Sequence, residues 1–287
     1  MSKKIVVITG TSSGFGWLTA KSIASFGHKV YATMRDTQGK NADKAKALAQ
    51  VANVTVLDVS LTDESSVKQA IDTIIAAEGR IDVLINNAAG SIFGVAESST
   101  TEDLQWMLDV NFIAPWRLMK LVLPFMRKQS EGLIINISSG WGRFAAPFSA
   151  VYGASKFALE GLSEGLHYEV RPFGVDVAII QPGAFPTEMS QKTQTGSDAS
   201  VLEAYNAIAD IPNKMFAAVG QMIETTKADP QEIADAVVEL INLPKGQRPL
   251  RTVVNQSTGD IVQRANDAVQ VEYAKALTAF GMEELLA

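Results

Sequence analysis

Apolar positions along this chain follow two alternating patterns. Short, nearly continuous aliphatic runs are KIVVIT at 4–9, KVYATM at 29–34, VTVLDV at 54–59 and DVLIN at 82–86, then GLIINIS at 132–138, VDVAIIQ at 175–181 and RTVVN at 251–255. Rich in β-branched residues and bounded by turn formers, they read as strands buried on both faces. Between them, apolar residues recur every three or four positions, as in GWLTAKSIASFG at 16–27, DESSVKQAIDTIIAAEG at 63–79 and the long segment 101–128. Those spacings predict helices. Strand, helix and strand repeated in this way predict an α/β fold: a doubly wound parallel sheet of about seven strands with helices on both faces. No linker-like composition interrupts the alternation, so one domain is expected over 1–287.

Two places break the rhythm. Pro115 and Pro124 fall inside the helical pattern 101–128, where each should bend the helix or help to end it. After the sixth strand, residues 186–229 are polar and then patchily helical. An insertion of that length at the carboxyl edge of a parallel sheet is expected to be a lid over a ligand site.

Composition narrows the partners. The formal net charge is −6 and no basic run exceeds Lys3-Lys4, which argues against nucleic-acid and anionic-membrane surfaces and leaves small molecules or other proteins. With no cysteine there is neither a disulfide nor a thiolate site, and the apolar run near the start is too short for a signal segment or a membrane span. The expected location is the cytoplasm. The two histidines, His28 and His167, have no second ligand at metal-binding spacing, so no metal is expected. No GxSxG elbow is present for a serine hydrolase.

The first strand runs through Gly10, Ser12, Ser13, Gly14, Phe15 and Gly16 into the first predicted helix. Glycines allow a tight turn and close approach of backbone to a phosphate, and the helix start offers free N–H groups and partial positive charge. Tyr152 and Lys156 stand four residues apart in AVYGASKFALEG, one turn apart on one helical face. A cation so placed should lower the phenol's pKa from its usual value near 10.

Spaced TGxxxGxG, the glycine loop resembles that of the short-chain dehydrogenase/reductases, in their single-domain branch. The resemblance extends to Asp58-Val59, NNAA at 86–89, Asn111, Ser139, Tyr152, Lys156 and PGAFPT at 182–187. It implies a Rossmann-type sheet binding a nicotinamide dinucleotide through the glycine loop, Asp58, Val59, Asn87, Ala88, Tyr152, Lys156, Pro182, Gly183 and Thr187. It also implies catalysis by Tyr152 as general acid/base, Ser139 on the substrate oxygen, and Asn111 holding a water that relays protons to Lys156. The Ser139–Tyr152 separation of thirteen residues fits. Ala89 departs from the family's glycine, and its methyl would crowd the backbone if that position needs positive φ.

In NAD-binding relatives an acidic residue closes the second strand; here the strand ends in Thr33-Met34 and Arg35 follows. An arginine fork suits a 2′-phosphate, so NADP(H) is the expected cofactor, with NAD(H) possible. Aromatic and apolar residues near the chemistry, Phe93, Trp141, Phe148, Phe185 and Met189, suggest a hydrophobic carbonyl or alcohol as substrate, and the segments VYATMRD and SSGFG resemble the hydroxysteroid- and retinol-dehydrogenase-like group. The expected activity is that of a carbonyl reductase or alcohol dehydrogenase; the alternative is a cofactor-sensing regulator without turnover. A homodimer or homotetramer is expected by the same resemblance, through small residues of the Tyr152 helix such as Gly161 and Gly165.

Overall fold

The computed structural model describes residues 3–255 and 257–286. Seven parallel strands form one sheet: β1 (Ile5–Thr9), β2 (Lys29–Met34), β3 (Val54–Asp58), β4 (Val83–Asn86), β5 (Gly132–Ile137), β6 (Val175–Pro182) and β7 (Arg251–Val254). Their spatial order is β3-β2-β1-β4-β5-β6-β7. The order reverses between β1 and β4, and at such a switch point the connections leave in opposite directions and open a crevice at the strands' carboxyl ends.

The helices are α1 (Gly14–Ser25), α2 (Ala42–Ala49), α3 (Glu64–Glu78), α4 (Thr101–Leu108), α5 (Ala114–Gln129), α6 (Ala150–Val170), α7 (Met189–Lys192), α8 (Ile211–Thr226), α9 (Gln231–Asn242) and α10 (Gly259–Ala279). Residues of alternating strand parity bury on opposite sheet faces. Val6, Ile8, Ile85, Ile135 and Ile180 join Ile23 and Leu240 on one side, while Val7, Leu84, Ile134 and Val177 join Ile71, Met119 and Leu166 on the other. Each such side chain contributes about 1.5–3 kcal/mol when fully buried, and the two cores fix the register that brings the strand ends level.

The long pattern 101–128 divides into α4 and α5, joined by a π-turn at Asp109–Ile113. Thr100 and Asp103 form a reciprocal capping box that starts α4. Pro115 sits in the first turn of α5, where a missing N–H costs little, so the break precedes it; Pro124 lies inside α5 without ending it. Between β6 and α9, neither α7 nor α8 has a fully buried residue. That segment is tied down at its edges: Phe93 N–H donates to Gln194 O at 2.9 Å, the Ser197 hydroxyl to Asp103 at 2.6 Å and the Tyr205 hydroxyl to Glu97 at 2.5 Å.

Candidate active site

The glycine loop leaves β1 at the switch point. Gly10 has φ +71°, and a Cβ there would lie 2.7 Å from Ala88 Cα. At Gly16 a Cβ would collide with the Gly10 carbonyl and the Asn87 amide, neither free to yield. Asn87 is held there because its Nδ2 donates to Thr9 O at 2.8 Å and Gly10 O at 3.2 Å, and the Thr9 hydroxyl accepts from the N–H groups of Asn87 and Ala88 at 3.0 Å. The β4 end thus braces the loop. Ala89 is not among the positive-φ residues, so its methyl is accommodated. Thr187 lies beside Gly14; Pro182 ends β6, and Gly183 follows it, its N–H donating to Val254 O at 2.9 Å.

Phe15 turns inward and meets Phe185 edge-on, ring centroids 5.5 Å apart. Phe185, expected on the substrate pocket, is therefore a core residue packed between α1 and the strand end. Val59 is likewise buried in the opposite core. Asp58 accepts from Asp36 N–H at 3.0 Å and from the Thr37 N–H and hydroxyl at 2.7 Å each, and the Thr37 bonds hold its carboxyl below the usual range. It shapes the turn that carries Arg35, whose guanidinium has no ion-pair partner among the described residues.

Ser139 follows β5, and Tyr152 and Lys156 lie on the buried face of α6 beneath it. Lys156 Nζ sits 5.8 Å from the Tyr152 ring centroid and donates to Ile137 O at 2.8 Å. Burial pushes the phenol up to about 12, opposed by its hydrogen bond with Ser139. Burial also brings the lysine down to about 8, opposed by the Glu160 carboxylate. The expected lowering of the tyrosine by the lysine is therefore overtaken: both groups have lost water, and desolvation favours each neutral form.

Asn111 lies buried in the π-turn. Its Nδ2 donates to Gly90 O at 3.0 Å and Ser155 Oγ at 2.9 Å, while Oδ1 accepts from Gly90 N–H at 2.7 Å. Both amide hydrogens are engaged, and the side chain clamps the Gly90 turn to α6. Trp141 meets Tyr152 edge-on at 6.3 Å. Phe93 lies between Phe148, 6.4 Å away, and Phe216 of α8, 5.9 Å away. Phe148 holds φ +60°, a strained conformation for a bulky residue, at the rim of this aromatic group. Met189 is exposed on α7. Phe216 was not singled out in the sequence, although its helix shows apolar spacing. Away from the site, His28 Nδ1 accepts from Lys4 N–H at 3.2 Å and His167 contacts Val177 O, ordinary packing roles for both.

A switch-point crevice with a glycine loop, and a serine, tyrosine and lysine at the ends of β5 and α6, together define a dinucleotide-dependent oxidoreductase. Comparison with known proteins gives the same answer, since the chain matches the short chain dehydrogenase family over residues 4–198. It belongs to that family and acts on CH–OH groups. It is 44% identical over 187 residues to a 3-ketodihydrosphingosine reductase of Bacteroides thetaiotaomicron, covering 65% of this chain and 66% of that protein. Human 17-beta-hydroxysteroid dehydrogenase type 1 is 34% identical over 256 residues, 85% of this chain and 76% of that one. Among solved structures, a short-chain dehydrogenase from Streptomyces avermitilis superposes with TM-score 0.76 at 30% identity, covering 98% of both chains. A metagenomic short-chain oxidoreductase in complex with NADP superposes with TM-score 0.69 at 26% identity, over 89% of this chain and 98% of that one.

Proposed function

We propose that this protein interconverts a hydrophobic ketone or aldehyde and its alcohol, with NADP(H) as the preferred cofactor. The carrying observation is the convergence of Ser139, Tyr152 and Lys156 at the carboxyl edge of the switch point. The residues present fit a dinucleotide: Gly10 and Gly16 make a cradle that a Cβ would fill, and Arg35 offers a fork with no ion-pair partner among the described residues. Gly10, Ser12, Ser13, Gly14, Gly16, Asn87, Ala88 and Thr187 would hold the phosphates and nicotinamide end, and Asp58 and Val59 the adenine end. When bound, that cofactor supplies or accepts a hydride.

The chain's own residues do the rest. Tyr152, fully protonated at neutral pH, donates its hydroxyl proton to the substrate oxygen; Ser139 donates a hydrogen bond to the same oxygen. Lys156, in its charged form below about pH 8, stabilises the phenolate left behind. Asn111 positions the Gly90 turn against α6. Residues 186–229 act as the lid, bringing Phe216 to Phe93 and Phe148 to make an apolar clamp. Turnover of hydrophobic ketones by NADPH, followed at the nicotinamide absorbance, tests this reading; tight cofactor binding with no ketone reduced across a broad panel would replace it with cofactor sensing.

Arg35 carries the cofactor preference. Losing a charge-assisted contact of about 1.5–3 kcal/mol raises KM about ten- to a hundredfold. Arg35→Ala is therefore expected to raise KM for NADPH by that factor and to leave NADH within about twofold; equal changes for the two cofactors would remove Arg35 from the site.

We also propose a homodimer or homotetramer formed through α6. On its outer face a Cβ at Gly161 or Gly165 would meet nothing, and Phe157 is 44% exposed beside them. Phe157→Glu is expected to shift sedimentation toward the monomer; an unchanged assembly excludes this face.

A further inference from the structure

The catalytic helix carries a second buried charge that the chemistry above does not use. Glu160 lies one helical turn beyond Lys156, its side chain 5% exposed, and both carboxylate oxygens are engaged. Oε1 accepts from Gln181 Nε2 at 2.9 Å, and Oε2 accepts from Arg251 Nε at 2.9 Å. The arginine, itself 7% exposed, donates its Nη2 to Glu164 Oε2 at 2.9 Å. Gln181 Oε1 in turn accepts from Asn266 Nδ2 at 2.7 Å. One connected network therefore runs from α10 through β6 and β7 to the helix bearing Tyr152 and Lys156. Arg143, in the loop after Ser139, completes it by donating to Ala265 O on α10 at 3.3 Å.

Burying a carboxylate costs several kcal/mol, which its partners must offset. Such a group held against the reaction centre asks for a reason beyond packing. Arg251 and Asn266 both lie outside the span 4–198 matched by the family, so the C-terminal elements complete the support of the catalytic helix. We propose that the Glu160–Arg251 brace is a positioning element for Lys156, anchoring α6 to β7 and α10 and holding a carboxylate one turn behind the lysine ammonium.

The surrounding charges determine the sign of its effect. Glu160 is faced by Lys156 and Glu164 on its own helix, by Arg143 from the loop after β5 and by Arg251 from β7. β6 and α10 present the neutral amides Gln181 and Asn266. His167 and Tyr168 of α6, with Tyr273 of α10, stand beside Glu164. Glu160 favours the charged lysine, and Arg251, ion-paired to that carboxylate, sets an opposite charge against it. Removing the carboxylate should make Lys156 easier to deprotonate, and removing the guanidinium should make it harder.

The test is an NMR titration of the Lys156 Nζ resonance in 15N-lysine protein, assigned by its loss in Lys156→Arg and read without substrate. Relative to wild type, the midpoint is expected to fall by about one pH unit in Glu160→Gln and to rise by a similar amount in Arg251→Gln. A purely structural brace would lower thermal stability in both and move the two midpoints equally or not at all, and that result overturns the proposal. Should either variant fail to fold, Glu164→Gln at the half-buried rim decides instead, with a smaller downward shift expected and no shift overturning. The proposal rests on the reading of Lys156 given above. Because the titration needs no turnover, failure of the ketone panel and failure of the brace register in different measurements.

Discussion

Tyr152→Phe is expected to lower the rate of ketone reduction by about a thousandfold, within the range a positioned general acid contributes. The substitution removes one hydroxyl and leaves the ring, which packs with Ile92, Met107 and Trp141, so the fold and the cofactor cradle are retained. Only the proton source is lost. Burial holds that proton up to about 12, which keeps the phenol protonated at neutral pH but makes it a weaker acid until a partner stabilises its anion. Lys156 provides that stabilisation in its charged form, held near pH 8 by its own burial. The wild-type reductive rate is accordingly expected to decline as pH rises through about 8, while the variant's residual rate is flat there because no phenolate forms. Stopped-flow or steady-state rates across pH 6–10 read both effects. A variant within tenfold of wild type would show that another group delivers the proton.

The parts of the site that could be read from the sequence are those written in local patterns. Strand ends follow from where aliphatic runs stop, so Ser139 after β5 and Arg35 after β2 are placed by counting. The loop from Gly10 to Gly16 is legible because glycine adopts positive φ without strain, as at Gly10, and leaves room for the backbone to approach, as at Gly10 and Gly16. Tyr152 and Lys156 are legible because the helical period puts them on one face. Burial is not local. Phe185 belongs to the aromatic-rich segment around the chemistry, yet its side chain fills the gap beside Phe15, a partner 170 residues earlier in the chain. Pro115 marks a break in the helical pattern but does not announce that a π-turn before it aims the Asn111 side chain at Gly90 and Ser155. Desolvation of the tyrosine and lysine likewise depends on how β6, the turn after Ser139 and the π-turn pack against α6. The Glu160–Arg251 contact spans 91 residues, and neither partner has a sequence neighbour that marks it.

Asp176→Ala is expected to cost about 3–5 kcal/mol of folding stability, the usual penalty for removing one member of a buried ion pair. Asp176, the second residue of β6, accepts from Arg248 Nη1 at 2.6 Å and from Gly246 N–H at 3.0 Å; aspartate and arginine side chains are each 6% exposed. Without the carboxylate, the guanidinium loses its ion pair among the described residues and keeps its bond from Nε to Leu240 O and a longer-range attraction to Glu131, a buried charge without its close counter-ion. The loop it anchors leads directly into β7, whose first residue, Arg251, braces Glu160, so the loss reaches the catalytic helix as well as the sheet edge. Near 2 °C per kcal/mol for a chain of this size, the melting temperature should fall by roughly 6–10 °C. Replacing both partners, as in Asp176→Leu with Arg248→Met, is expected to recover most of that loss, because the cost lies in the stranded charge rather than in the missing attraction. A single substitution that melts within 2 °C of wild type would mean that water reaches Arg248 and that the pair does not hold β7 in place.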